Sequence, residues 1–151
     1  MQHYIIDGNN LIGKIKFLNQ LHKKNKMQSA EKLALIVGRY FHSKKIAVSL
    51  HFDGFQSDVI KVPGIKIIYS GKLSADEKIK KEIENSKNPK NIILVTSDNN
   101  LAEFGSVCSC HVIKCEGFSK LLLSSGSIDE EISRIEQMNN QEEFRKLFGV
   151  D

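Results

Sequence analysis

Short apolar runs that end near an acidic residue or a glycine recur along this chain of 151 residues, alternating with helical patterns. Strands of this kind, buried on both faces, alternate with helices in parallel sheets. The pattern therefore predicts an α/β fold of three layers, with a mainly parallel five-stranded sheet covered by helices on both faces. The predicted strands are His3–Asp7, Ile46–Phe52, Ile65–Tyr69, Asn91–Thr96 and Val107–Lys114.

The segments that connect these strands show the apolar spacing of helices. The first helix is predicted over Asn10–Leu21, and Ser29 is predicted to cap the second. Ser-Ala-Asp-Glu at 74–77 has the spacing of a capping box and predicts the start of a third helix. The length favours a single domain over 1–151. Its closing helical segment, 128–151, is expected to pack on the sheet or, alternatively, to form a homodimer contact.

Composition narrows the class of protein. Hydrophobic residues make up 40% of the chain and charged residues 26%, which is typical of a globular protein and excludes a disordered or fibrous one. No apolar run approaches the roughly 20 residues of a membrane span, and the acidic residue at position 7 argues against a signal peptide. We therefore expect no membrane partner.

Three cysteines, Cys108, Cys110 and Cys115, lie within eight residues of one another. An odd, clustered set is a poor disulfide framework, which indicates a reducing compartment and a cytoplasmic protein. Zinc is disfavoured because Cys108 and Cys110 would share one face of the predicted fifth strand, with His111 on the other face. The other histidines also fall away from the expected site and are interpreted as structural or surface residues: His3, His22, His42 and His51.

Acidic residues follow four of the predicted strands. Asp7, Asp53 and Asp98 stand at strand ends, and Asp76 lies just beyond the third strand. Ligands of open parallel sheets bind outside the carboxyl ends of the strands, so these four carboxylates would crowd together there. Their mutual repulsion favours a bound divalent cation with oxygen ligands. Each acid taken alone is better explained as a helix cap or turn residue, so the prediction depends on their coincidence.

The segments IIDGNNLI, HFDG, SADEKI and ILVTSD, in that order and spacing, resemble the NYN branch of the PIN-like nucleases. The likeness is nearest to the bacterial YacP-like NYN proteins and runs from about Tyr4 to Leu123. It implies a Rossmann-like (PIN-like) sandwich with a parallel sheet. It also implies a metal-dependent ribonuclease whose acidic site holds Mg²⁺ or Mn²⁺.

The resemblance also implies roles for the matching residues. Asp7, Asp76 and Asp98 resemble the metal ligands of the family, and Asp53 an acid of the NYN branch; all four are candidate catalytic residues. The candidate supporting residues are Asn10, Ser97 and Glu77, although the capping box also explains Glu77. Many PIN proteins carry another acid after the fourth-strand aspartate, where this chain has Asn99 and Asn100, so one metal or two remain open.

Positive charge is concentrated in the first half of the chain. Residues 1–75 hold twelve basic and four acidic residues, a net of +8, whereas 76–151 hold ten and fourteen, a net of −4. Lys14 and Lys72 follow strand ends, so we expect them to contact RNA phosphates. With no Trp and 7% aromatic residues, the sequence does not predict base stacking.

The leading hypothesis is a metal-dependent endoribonuclease that hydrolyses RNA phosphodiester bonds with a water activated by a metal ion in the acidic cluster. One alternative is a non-catalytic RNA-binding or ribosome-binding module of the same fold. Another is a toxin-type PIN ribonuclease. RNA is the expected partner in all three cases.

Overall fold

A parallel sheet forms the middle layer of the computed structural model, which describes residues 1–56, 60–126 and 128. All five predicted strands are present, in the order β3-β2-β1-β4-β5 and parallel throughout, which confirms the predicted fold class. The predicted closing helix and its homodimer contact lie outside the described residues. The strands are β1 His3–Asp7, β2 Ala47–Phe52, β3 Ile65–Tyr69, β4 Ile92–Val95 and β5 His111–Ile113.

Helices cover both faces of this sheet. Side chains of α1, α2, α3 and α6 pack with Ile6 of β1 in one apolar cluster, and side chains of α4 and α5 pack with its neighbour Ile5 in another. Successive strand residues point to opposite faces, so one strand contributes to both clusters. The helices are α1 Gly8–Ile12, α2 Lys16–Lys24, α3 Lys26–Tyr40, α4 Ala75–Glu84, α5 Asn99–Val107 and α6 Cys115–Ser124, with a 3₁₀ turn at Pro89–Asn91. None of these helices is long and apolar enough to cross a membrane.

The prediction of one helix over Asn10–Leu21 was wrong, because the chain forms two helices there. Ile15 between them is extended, with φ −112° and ψ 109°, and is only 5% exposed. The break turns α2 so that Ile15 and Leu18 both enter the core cluster. The next helix begins earlier than predicted, with Asn25 rather than Ser29 as its N-cap.

The fifth strand is shorter than predicted, which changes the place of two cysteines. Cys108 is the C-cap of α5, Ser109 has a positive φ of 73°, and Cys110 precedes the strand. The predicted sharing of one strand face by Cys108 and Cys110 was therefore wrong. All three cysteines are free thiols, and no group of three metal-binding side chains occurs among the described residues.

A buried polar network joins β2 to α4. Glu82 accepts hydrogen bonds from the Ser49 hydroxyl and from His51 Nε2, each at 2.8 Å, and lies 3.7 Å from His3 Nε2. Burial alone would raise the pKa of Glu82, but the hydrogen bonds of His51 and Ser49 and the two imidazoles outweigh it, so the pKa is lowered. The ionised form of Glu82 therefore stabilises the fold.

Glu82→Ala should lower the free energy of unfolding at neutral pH by about 1–3 kcal/mol, because it leaves His51 and Ser49 buried without their partner. Urea denaturation measures the loss, with the exposed Glu84→Ala on the same helix as control. Because the folded pKa of Glu82 is lowered, its contribution should be lost as the pH falls through the acidic range. Equal stability of the two variants would contradict this account.

Candidate active site

Asp7 is the most buried of the predicted site residues. It ends the central strand β1 and is only 8% exposed. Its Oδ1 accepts a hydrogen bond from the backbone N–H of Asn10 at 3.5 Å, and its Oδ2 accepts one from the Thr96 hydroxyl at 3.2 Å. These two hydrogen bonds, one on each oxygen, leave further lone pairs of the carboxylate for another ligand.

A close approach of two strands creates this position. A Cβ atom on Gly8 would lie 2.5 Å from the carbonyl oxygen of His51 and 2.6 Å from Cε1 of Phe52. Only glycine therefore lets the start of α1 approach the end of β2 so closely. Beside it, Asn9 Oδ1 accepts a hydrogen bond of 2.8 Å from the backbone N–H of Asp53, which ties the ends of β1 and β2 together.

The charges of Asp53 and Asp98, two exposed carboxylates, act on the buried Asp7, although no three metal-binding side chains come together among the described residues. Burial is the main cause that raises the pKa of Asp7 to about 6. The hydrogen bonds from Asn10 and Thr96 lower this pKa, and the negative charges of Asp53 and Asp98 raise it further. Each neighbour also holds a helix in place. Asp98 Oδ1 accepts from the N–H groups of Asn100 and Leu101 at the start of α5, and Asp53 Oδ1 accepts from the N–H of Ala75 at 2.8 Å.

Asp76 has a different environment. Its Oδ2 lies 3.1 Å from Nζ of Lys80, one turn along α4, and it is absent from the charges that act on Asp7. The N–H of the preceding residue, Ala75, nevertheless donates to Asp53, so Asp76 lies in the first turn of α4, close to Asp53. Glu77 makes one of the two hydrogen bonds of the predicted capping box, because its N–H donates to the Ser74 hydroxyl at 3.1 Å. The structure gives Glu77 no contact with Asp7, Asp53 or Asp98 within the described residues.

Asn10 and Ser97 join the carboxyl ends of the two central strands. Asn10 Oδ1 accepts from the backbone N–H of Ser97 at 2.6 Å and from the thiol of Cys115 at 3.7 Å. Burial is the main cause that raises the pKa of Cys115 to about 12, so this thiol stays protonated and is not a nucleophile. The Asn10 side chain therefore presents its NH₂ group, with two donors, on the side away from these contacts.

Sequence reasoning missed Glu116. This exposed residue begins α6 just after β5, and its Oε1 accepts the Ser97 hydroxyl at 2.9 Å and lies 3.2 Å from Lys14 Nζ. Those two contacts lower the pKa of Glu116. Its position after a strand, like that of the other acids, was the signal that could have found it. Lys14 and Ser97 thus contact the same carboxylate oxygen, and Lys14, a predicted phosphate contact, is ion-paired.

Lys72 is the second lysine that was predicted to contact RNA. It is exposed in the turn between β3 and α4, and within the described residues it has no ion-pair partner. His22 departs from the expectation that the histidines lie away from the site. It is half-buried and lines a cavity that also includes Asp53.

The strand order gives these groups a common location. The chain leaves β1 for β2 on one side and later returns to β4 on the other, so the switch in strand order falls between β1 and β4. Parallel α/β sheets bind ligands at such switch points. Asp7 ends one of these strands, and Thr96, Ser97 and Asp98 follow the other.

Comparisons with known proteins agree with this fold. The sequence model of the YacP-like NYN domain matches residues 4–147. Two crystal structures of Rae1 (YacP) from Bacillus subtilis are similar in fold. One has 21% identity and a TM-score of 0.67, covering 99% of this chain and 93% of that one. The other, a mutant form, has 17% identity and a TM-score of 0.70, covering 93% and 85%. No curated protein matches the chain.

Asp7→Asn should make the metal-free protein more stable than the wild type near neutral pH. Asn retains the N-cap role, and the raised pKa of Asp7 means that its ionisation weakens folding between about pH 4 and pH 6. The variant should therefore gain about 3 kcal/mol relative to the wild type between pH 4 and pH 7. Urea unfolding in EDTA at both pH values measures the change. The same difference between the two proteins at both pH values would contradict the assignment.

Proposed function

The chain belongs to the YacP-like NYN domain family, a family of nuclease type, and from this premise we propose that it is a metal-dependent endoribonuclease. The observation that carries the proposal is the buried Asp7 carboxylate at the switch point of the sheet, on which the negative charges of Asp53 and Asp98 act. A buried carboxylate that also feels two other negative charges is unfavourable without a cation, so the arrangement suits a positively charged ligand.

The donor set fits Mg²⁺ or Mn²⁺ better than zinc. Mg²⁺ commonly takes one or two carboxylates and completes its shell with waters and substrate phosphates. No three His, Cys, Asp or Glu side chains of the described residues are placed to hold an ion by themselves, so an ion here would depend on waters and substrate phosphates, which a structural zinc site does not use. Asp7 and Asp98 are the proposed primary ligands. Asp76, whose carboxylate is paired with Lys80, would join them only if that ion pair opens.

The residues around the cation have separate proposed tasks. When bound, the ion would lower the pKa of a water and stabilise the charge that develops on the attacked phosphate. Asp53 keeps one carboxylate oxygen after bonding Ala75 and would orient the attacking water as a hydrogen-bond acceptor. The NH₂ group of Asn10 would donate to a phosphate oxygen, and the Ser97 backbone fixes its orientation. Lys72 would hold the next phosphate of the strand.

The location and wider partners of the enzyme remain proposals. Free thiols support a reducing, cytoplasmic compartment. RNA is the proposed substrate, and association with the ribosome, a homodimer contact through 128–151 and a toxin role stay predictions.

Cleavage of single-stranded and structured RNA should require Mn²⁺ or Mg²⁺ and stop in EDTA. Asp7→Asn and Asp98→Asn should each reduce the cleavage rate at least about 10-fold, because a ligand loss should cost no less than a loss in its supporting shell. Both Asn residues retain the helix caps. The matched control is Glu103→Gln, an exposed acid on α5. RNA binding without any metal-dependent cleavage would instead favour the non-catalytic binding module.

Lys72→Ala should weaken RNA binding and lower the salt slope, d log K/d log[salt], by about 0.7 for a single-stranded oligonucleotide. Fluorescence anisotropy at several salt concentrations measures this slope. Lys90→Ala is the control, since Lys90 is exposed in the turn before β4, at the opposite edge of the sheet. Lys14→Ala should have a smaller effect than Lys72→Ala, because Glu116 already neutralises Lys14. Equal slopes for Lys72→Ala and Lys90→Ala would exclude Lys72 from the RNA path.

A further inference from the structure

A cavity of about 250 Å³ opens beside Asp53, between the end of β2 and the junction of α2 with α3. We propose that it is a nucleobase-binding pocket, which receives the base of a nucleotide next to the cleaved phosphate. The inference rests on the proposed function, because it takes RNA as the substrate. The lining residues that carry it are Asn9, His22, Lys26, Phe52, Phe55 and Tyr69.

Three aromatic side chains belong to the apolar lining of this pocket. Phe52 is buried and its ring centroid lies 5.5 Å from that of Tyr69, whereas Phe55 is 73% exposed. An exposed Phe beside two other aromatic residues offers a free face on which a base can stack. The low aromatic content of the chain gave no reason to expect this grouping, which brings together residues from β2, β3 and the loop between them.

Backbone hydrogen bonds hold the Phe55 loop in position. The N–H of Gly71 donates to the carbonyl of Gly54 at 2.8 Å, and the N–H of Gly54 donates to the Ser70 hydroxyl at 3.0 Å. Gly71 has a φ of +64°, and a Cβ atom there would lie 3.7 Å from Cε1 of Phe55. The turn after β3 therefore passes directly against the ring and supports it.

The polar edge of the pocket can read the base. The Ser29 hydroxyl donates its only proton to the carbonyl of Lys26 at 2.8 Å, so it must accept from His22 Nδ1, also 2.8 Å away. That bond fixes neutral His22 as the Nδ1–H tautomer and leaves Nε2 as an acceptor. An acceptor beside a cationic Lys26 suits the mixed donors and acceptors of a base edge.

The pocket is continuous with the candidate active site. Asn9 and Asp53 line it, and Asn9 Oδ1 binds the backbone N–H of Asp53 at 2.8 Å. The Asp53 charge in turn acts on Asp7. A strand whose phosphate lies at Asp7 would therefore have this pocket within reach of an adjacent base.

The size of the cavity limits what it can hold. Pockets for drug-sized ligands measure roughly 300–1,000 Å³, so a cavity of about 250 Å³ suits a single ring system rather than a peptide segment. Stacking on every base has a similar strength, so selectivity among the four bases would come from the edge at His22 and Lys26.

The first test uses binding alone, without cleavage. Nucleoside 5′-monophosphates, added in EDTA, should shift the NMR signals of the Tyr69 and His22 rings, whereas ribose 5-phosphate, which has no base, should not. Phe55→Ala should weaken nucleotide binding about 10-fold, and Val107→Ala, an equally exposed apolar residue on α5, should leave it unchanged. Equal shifts with ribose 5-phosphate, or unchanged nucleotide binding by Phe55→Ala, would contradict the proposal that the pocket binds a base.

The second test uses cleavage of a random-sequence RNA, with the cut ends sequenced. The wild type should prefer certain bases at one position near the cut, Phe55→Ala should flatten that preference, and His22→Gln should change which base is preferred. Nucleotide binding without any RNA cleavage would refute the proposed nuclease and leave the pocket standing. Cleavage without base preference, together with no base-dependent binding, would refute the pocket and leave the nuclease standing.

Discussion

The burial of one carboxylate, Asp7, at the end of the central strand is the constraint around which the site is built. Burial raises the pKa of this group, and Asp53 and Asp98 add negative charge beside it. Such an arrangement weakens folding, and its partial compensation comes from two long hydrogen bonds. A bound cation would turn this unfavourable contribution to the folding free energy into a favourable one, because the carboxylates would attract the cation. The carboxylates that lower the stability of the metal-free protein are thus the same groups that are proposed to bind the metal ion.

The strand ends around Asp7 are fixed by short polar links between separate elements. Asn9 joins β1 to the loop after β2, Asn10 joins it to the loop after β4, and Ser97 continues to α6. These links hold the acidic group at the sheet edge while leaving one carboxylate oxygen of Asp53 outside the helix contacts. Glu116 and Lys14 form a neutralised pair at one margin, and Lys72 supplies an unpaired charge at another, within the described residues.

The strands could be predicted because the signal is local: a short, largely apolar segment followed by an acid or a glycine, as in β1 and β2. The prediction of one helix over Asn10–Leu21 was wrong because the chain breaks at Ile15, whose side chain is buried in the core. The helical spacing of apolar residues does not indicate such a break. The acids at strand ends were predictable, but the ion pair of Asp76 and the contacts of Glu116 depend on tertiary neighbours. The aromatic pocket was unpredictable for the same reason, since Phe52, Phe55 and Tyr69 come from different elements.

Calorimetric titration of Mn²⁺ near pH 6, in buffers with different ionisation enthalpies, tests the central claim most directly. Asp7 should be partly protonated at this pH, so Mn²⁺ binding should release protons to the buffer. Asp7→Asn should lose the proton release and bind Mn²⁺ at least about 10-fold more weakly. Unchanged Mn²⁺ affinity and unchanged proton release in Asp7→Asn would contradict the account.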